Sequence, residues 1–184
     1  SLSGQLALAY EVTPDVNAYA TYARGEKSGG INMAGIPTDA AGNPALVSAV
    51  VRPEKATTYE LGLKSQWFER RLTANLAAYY TTVRDFQANV VDSGPGALRG
   101  YLANIEKVKV KGVELDLSTR PVMGVTTYAA VSWTDGEYAS FANGPCPIER
   151  IGTATTACDL SGRELPGVSR WAGSAGAEYR RPAS

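Results

Sequence analysis

The connections between the strand-like segments of this chain alternate strictly between short and long. Residues 13–15, 68–70 and 120–123 form tight connections, whereas 25–56, 92–100 and 139–170 are open stretches. Transmembrane β-barrels have short turns at one end and longer loops at the other. The pattern therefore predicts an all-β fold, an antiparallel meander of about seven strands. The predicted strands are residues 4–12, 16–24, 57–67, 71–91, 101–119, 124–138 and 171–179.

Within these segments apolar and polar side chains alternate, which predicts two different faces. Tyr59, Leu61 and Leu63 alternate with polar neighbours, and a period of two puts the two sets on opposite sides of a strand. We expect a convex apolar side formed by Tyr59, Leu61, Leu63, Leu72, Leu76, Leu115, Leu117, Val131, Trp171 and Tyr179. The concave side should carry Glu60, Lys64, Asn75, Glu114 and Glu178.

A soluble β-sandwich shows the same alternation, so two further features are needed to choose between the architectures. Charge in the middle of strands is costly in a sandwich core and acceptable in a water-filled or plugged lumen. Trp171 and Tyr179 also bracket small residues. At a tilt of about 40° that bracket spans roughly 20 Å, close to the apolar band between aromatic girdles. Both features favour the barrel.

The valines Val108 and Val110 are out of phase with Val113. Either a bulge lies near Gly112, or this part of the strand projects beyond the membrane. Segments 71–91 and 101–119 exceed the roughly 9 to 11 residues needed to span a membrane, which favours projection.

The composition excludes several classes of function. The 18 basic and 18 acidic residues balance, so no basic excess indicates nucleic-acid binding. The chain has no histidine, and therefore lacks the commonest acid–base and nucleophile-activating arrangements. We expect no metal site, no cofactor and no catalytic centre. The 44% hydrophobic content is compatible with a membrane barrel, because only alternate residues of such a barrel face lipid.

Cys146 and Cys158 lie in the same open stretch, without the spacing of a zinc site. Two cysteines in one surface loop fit an oxidising compartment, in which a disulfide would stabilise the loop by roughly 3 kcal/mol. The alternative is two unrelated free thiols.

Residues at the rims of the three open stretches are candidates for ligand contact. Arginines near the first stretch are suited to an anionic ligand, and aromatic residues near the third offer apolar surface. The candidates are Arg24 and Arg52 at the first stretch, Arg99, Tyr101 and Asn104 at the second, and Tyr138 and Phe141 at the third.

The segments also resemble, in order, the barrel domain of TonB-dependent outer-membrane receptors. The similar stretches are YATYARGEKSGGIN (19–32), RPEKATTYELGLKSQW (52–67), LTANLAAYYTTVRDFQ (72–87), VKGVELDL (110–117) and DLSGRELPGVSRWAGSAGAEY (159–179). The resemblance implies that 1–184 is an incomplete segment of a 22-stranded transmembrane β-barrel in the outer membrane of a Gram-negative cell. It also implies that the plug domain and the closing C-terminal strand lie outside this chain.

The implied partners are the outer-membrane lipid, the plug domain and remaining barrel strands of the parent chain, and the TonB complex. The TonB complex is reached through the missing N-terminal part. The implied function is import of a scarce small-molecule ligand, most commonly a ferric siderophore. The alternatives are a non-transporting outer-membrane barrel and a β-sheet adhesion or binding module, in which the long loops serve as contact surface.

Overall fold

The fold is a sheet of long antiparallel strands with one small accessory hairpin. The computed structural model describes residues 2–32, 49–91, 100–146 and 158–181, and within these ranges no helix is long and apolar enough to cross a membrane. The strands are β1 (Gly4–Thr13), β2 (Val16–Lys27), β3 (Gly30–Ile31), β4 (Val50–Val51), β5 (Glu54–Trp67), β6 (Leu72–Val91), β7 (Gly100–Thr119), β8 (Val125–Ser140) and β9 (Trp171–Tyr179).

The strand order confirms the predicted meander. Seven strands form one sheet in the order β1-β2-β5-β6-β7-β8-β9, and every neighbouring pair is antiparallel. The hairpin β3–β4, which the sequence did not predict, lies between β2 and β5 in the chain and forms a separate two-stranded sheet. In the described part of the chain, β1 and β9 are the edges of the large sheet.

The register places all the predicted apolar residues on one face. Directly opposed residues of an antiparallel pair lie on the same side of the sheet. One row crosses all seven strands in this way, through Leu8, Ala20, Leu61, Ala78, Val113, Trp133 and Trp171. We call this side the apolar face. The opposite side, the polar face, carries Glu60, Lys64, Asn75, Glu114 and Glu178.

The apolar face is exposed. Leu61 is 66% exposed and Trp171 is 68% exposed, values that a second sheet packed over this face would not permit. The sandwich alternative is therefore wrong for this sheet. Leu72, Leu115 and Leu117 share the face but are half-buried by their neighbours.

The buried core lies at the end of the sheet that carries the long connections. Strands β6 and β7 stay in register through Gly112, so the out-of-phase valines mark a projecting segment and not a bulge at that glycine. Val108 is buried there in a cluster with Val90, Ile105 and Phe141. The spanning half of the sheet has no such core among the described residues. The stability of this spanning half therefore depends on the hydrogen-bonded pairing of its strands and on what contacts its two faces.

We expect the two faces to respond in opposite ways to the same charge. Leu76 lies on the apolar face, 45% exposed, and its neighbour Asn75 lies opposite Lys64 and Asp116 on the polar face. In the complete parent protein in lipid vesicles, Leu76→Arg should lower the free energy of unfolding by about 2–4 kcal/mol, the cost of an arginine near the bilayer midplane. The matched Asn75→Arg should change it by less than about 0.5 kcal/mol. Guanidinium titration measures both, and equal effects would contradict the assignment of the faces.

Candidate functional site

Three tyrosines lie across glycines of the adjacent strand on the polar face. In each pair the tyrosine and the glycine are direct cross-strand partners, and a Cβ added to the glycine would overlap the tyrosine ring or hydroxyl. Each tyrosine ring therefore lies flat against the sheet and does not project into the space beside the polar face. The pairs are Tyr19 with Gly62, Tyr79 with Gly112, and Tyr128 with Gly176.

Polar contacts hold two of these rings in place. The Tyr19 hydroxyl donates a hydrogen bond of 2.8 Å to Glu60 Oε1, and Lys64 Nζ lies 5.5 Å from the centroid of the Tyr19 ring. Glu60 and Lys64, which share the polar face of β5, therefore both contact Tyr19. The Tyr79 hydroxyl lies 3.1 Å from Thr134 Oγ1. The polar face is thus a flat, hydrogen-bonded wall with exposed charge.

A polar network at the end with long connections brings together two of the predicted ligand residues. The Arg52 guanidinium contacts the Asp85 carboxylate with two nitrogens, at 2.8 Å for Nε and 2.7 Å for the second nitrogen. The Arg52 backbone N–H donates to Asn104 Oδ1 at 2.7 Å, and Asn104 Nδ2 donates to the carbonyls of Arg52 and Asp85. Asn104 therefore joins the exit of the first long connection to the hairpin β6–β7.

Gln87 extends the same network. Its side-chain amide donates to the carbonyls of Ser28 and Arg52, and its backbone N–H donates to Glu54 Oε2 at 2.8 Å. Gln87 is buried, and every contact joins the segment around β3–β4 to the hairpin β6–β7. A second link runs from Asn32 Nδ2 to the Leu102 carbonyl at 2.9 Å. The accessory hairpin is thus fixed to the projecting part of the sheet.

Three other predicted residues lie together in the buried cluster at the same end. The rings of Tyr138 and Phe141 are 5.2 Å apart and tilted by 53°, and Tyr101 packs against the cluster. Phe141 is buried. These aromatic side chains stabilise the base of the third long connection.

The segment 158–165 packs onto this cluster and is fastened by covalent and hydrogen bonds. Cys146 and Cys158 are joined in a disulfide with Cα atoms 5.0 Å apart. The Ser161 hydroxyl accepts a hydrogen bond from the Phe141 backbone N–H. Hydrogen bonds from the side chain and backbone of Ser161 lower the pKa of the Asp159 carboxyl, and the bond from the Ser161 backbone N–H to Asp159 Oδ1 closes the turn that follows the disulfide.

The remaining two candidates lie elsewhere. Arg24 is exposed and shares the apolar face with Tyr22, so its side chain points away from the network formed by Arg52 and Asn104. Arg99 lies outside the described residues. Asp85 and Gln87 were not predicted from the sequence. What marks Asp85 is its backbone conformation in the structure. It is a non-glycine residue at φ 53° inside a long strand, a sparsely populated geometry that marks functional or tightly held positions.

The fold and the two faces define a segment of a transmembrane β-barrel. An exposed apolar face with aromatic ends, a charged opposite face, and turns at one end with long connections at the other are the features of that class. The whole chain, residues 1–184, matches the family described as TonB dependent receptor-like, beta-barrel. The chain belongs to this family, and it is part of an outer-membrane barrel.

Comparisons with individual proteins agree with the family. Over 140 residues the chain is 30% identical to the ferric-pyoverdine 358 receptor of Pseudomonas putida, covering 72% of this chain and 15% of that receptor. Its fold is similar to the ferric yersiniabactin uptake receptor of Yersinia pestis, with a TM-score of 0.64 and 24% identity over 95% of this chain and 22% of that one. The copper transporter OprC gives a TM-score of 0.59 and 19% identity, over 74% and 20%.

We expect Gly62 to be required by the ring of Tyr19. In the intact receptor, Gly62→Ala should displace the ring, break its hydrogen bond to Glu60 and lower the free energy of unfolding by about 1–3 kcal/mol, the usual range for overpacking. Tyr19→Ala removes the ring, so Gly62→Ala should cost clearly less in that background. A double-mutant cycle by guanidinium titration measures the coupling. Additive effects would show that the close approach is unimportant.

Proposed function

We propose that this chain forms part of the barrel of an outer-membrane importer of ferric siderophores. The observation that carries the proposal is the 30% identity to a ferric-pyoverdine receptor over most of the chain, together with the family match. The chain spans about 15% of that relative's length. The activity of the whole protein is therefore inferred from these 184 residues and from the family.

The polar face supports a lumen filled by a folded plug. Because the tyrosine rings lie flat over glycines, a domain can approach the wall closely, and Glu60, Lys64 and Glu114 offer it charged contacts. We assign the plug, the remaining strands of a 22-stranded barrel and the TonB-contacting segment to parts of the parent protein outside this chain. Outer-membrane lipid surrounds the apolar face, and energy for import comes from the TonB complex. We assign no catalytic role to the chain.

Within the mouth, we assign direct ligand contact to Arg52 and Tyr138. The Arg52 side chain is 59% exposed although it pairs with Asp85, so its charge is accessible to an anionic ligand. Tyr138 is half-buried. Asn104 uses its amide for backbone contacts and Phe141 is buried. We assign these two residues the role of holding the mouth in shape.

Uptake measurements on the parent gene test this function. A deletion strain should lose uptake of at least one labelled ferric siderophore and keep uptake of cobalamin, copper and oligosaccharides. The loss should be restored by the wild-type gene and abolished again when TonB is removed. Unchanged uptake of every siderophore tested would reject the proposal, and loss of copper or sugar uptake alone would replace iron by that ligand.

A pair of arginine variants tests the site in the same assay. Arg52→Gln should raise the ligand concentration for half-maximal uptake several-fold, because it removes a charge at the mouth. Arg24→Gln is the matched control, since Arg24 lies at the same end of the sheet but on the apolar face, and it should leave that concentration unchanged. Equal effects of the two variants at equal receptor levels would exclude Arg52 from the ligand site.

A further inference from the structure

At the end with long connections, the apolar face closes with a row of tyrosines. Tyr22, Tyr59 and Tyr80 are cross-strand partners on β2, β5 and β6, and the rings of Tyr22 and Tyr59 are 5.3 Å apart. Aromatic girdles of this kind mark the level at which hydrocarbon gives way to lipid head groups. Whatever the face presents beyond this row lies among the head groups or above them.

Beyond the tyrosines the same face carries three basic residues directly opposite one another. Lys55 of β5 is the partner of Arg84 on β6, and Arg84 is the partner of Lys107 on β7. Like charges placed directly opposite each other destabilise a sheet. The arrangement therefore has a cost that the sheet itself does not offset, and an anion bound across the row would remove it.

These three residues lack acidic partners in the described part of the chain, whereas their neighbours have them. Lys109 and Lys111, on the same face of β7, pair with Glu137 at 3.7 Å and Asp135 at 3.1 Å. Glu26 lies opposite Lys55 at the β2 end of the row but forms no ion pair with it within 4.0 Å. Arg24 lies on the face nearer to the tyrosines and adds a fourth positive charge. With these four basic residues against the single carboxylate of Glu26, this surface on β2, β5, β6 and β7 has a net positive charge.

The position of Lys55, Arg84 and Lys107 along the membrane normal matches the layer of lipid head groups. Lys55 is four residues beyond Tyr59 on the same strand, which corresponds to about 13 Å along the strand and roughly 10 Å along the membrane normal at a tilt near 40°. The layer between hydrocarbon and water is itself several ångströms thick. Long basic side chains also reach several ångströms from their backbone. Lys55 and Arg84 are exposed, and Lys107 is half-buried.

We propose that Lys55, Arg84 and Lys107 bind the phosphate groups of an anionic lipid in the outer leaflet, with Arg24 contributing from the side nearer to the tyrosines. Arginine and lysine are the side chains best suited to phosphate, and clusters of basic residues beside a membrane bind anionic head groups. The acyl chains of the same lipid would lie along the apolar face. This site is on the opposite side of the sheet from the mouth and the polar face. Its existence rests on the membrane location and not on the proposed transport.

The test measures lipid binding by the intact receptor, purified in detergent, with native mass spectrometry as the readout. The probes are a diphosphorylated glycolipid (lipid A) and the same lipid without its phosphates. The combined variant Lys55→Gln, Arg84→Gln and Lys107→Gln should bind the phosphorylated lipid roughly 100-fold more weakly, because each basic residue contributes about a factor of five near an anionic surface. Wild type should bind the phosphate-free lipid as weakly as this variant binds the phosphorylated one.

Two further variants keep the result interpretable. The control Lys27→Gln, Arg71→Gln and Arg120→Gln removes the same charge from exposed positions outside the row and should bind like wild type. The variant Lys55→Arg, Arg84→Lys and Lys107→Arg keeps the charges and should retain binding. Wild-type binding by the folded glutamine variant would overturn the proposal. Displacement of the lipid by millimolar inorganic phosphate would also overturn it, in favour of a free-phosphate site.

Discussion

Unbroken antiparallel pairing of the backbone is the constraint on which the rest of the structure depends. Inside a bilayer every backbone N–H and C=O group must be paired within the protein. Here each strand from β1 to β9 in the large sheet pairs with the next in a register that is continuous across the spanning region. A slip of one residue would exchange the two faces, so the same pairing that satisfies the backbone also keeps leucine towards lipid and glutamate towards the lumen.

The spanning half and the projecting half of the sheet are stabilised by different kinds of contact. The spanning half has an exposed apolar face, and on its polar face tyrosine rings lie over glycines of the neighbouring strands. The projecting half has a small buried cluster around Ile105 and Val108, a network around Asn104 and Gln87, and the only disulfide among the described residues. Rigid contacts are therefore concentrated next to the long connections, and connections of this kind are where functional residues of a scaffold are most often found.

Features that follow from local periodicity could be predicted from the sequence, whereas features that depend on the pairing register of the strands could not. The alternation from Tyr59 to Trp67 identified the faces, and the excess length of β6 and β7 identified the projecting half. The contact between Arg52 and Asn104 joins residues 52 positions apart, and the overlap of Tyr19 with Gly62 depends on which residues are opposed. The side of the sheet on which Arg24 lies does follow from local periodicity, because Arg24 is two residues from Tyr22 and shares the apolar face with it.

The central claim, that the apolar face lies in lipid, is tested most directly by spin labels along β5. Nitroxides attached singly at positions 60, 61, 63 and 64 of the intact receptor in vesicles report collisions with oxygen, which concentrates in the bilayer. High oxygen accessibility at Leu61 and Leu63 with low accessibility at Glu60 and Lys64 is the result expected from their opposite faces. Uniform accessibility at the four positions, or the inverse alternation, would contradict the membrane assignment.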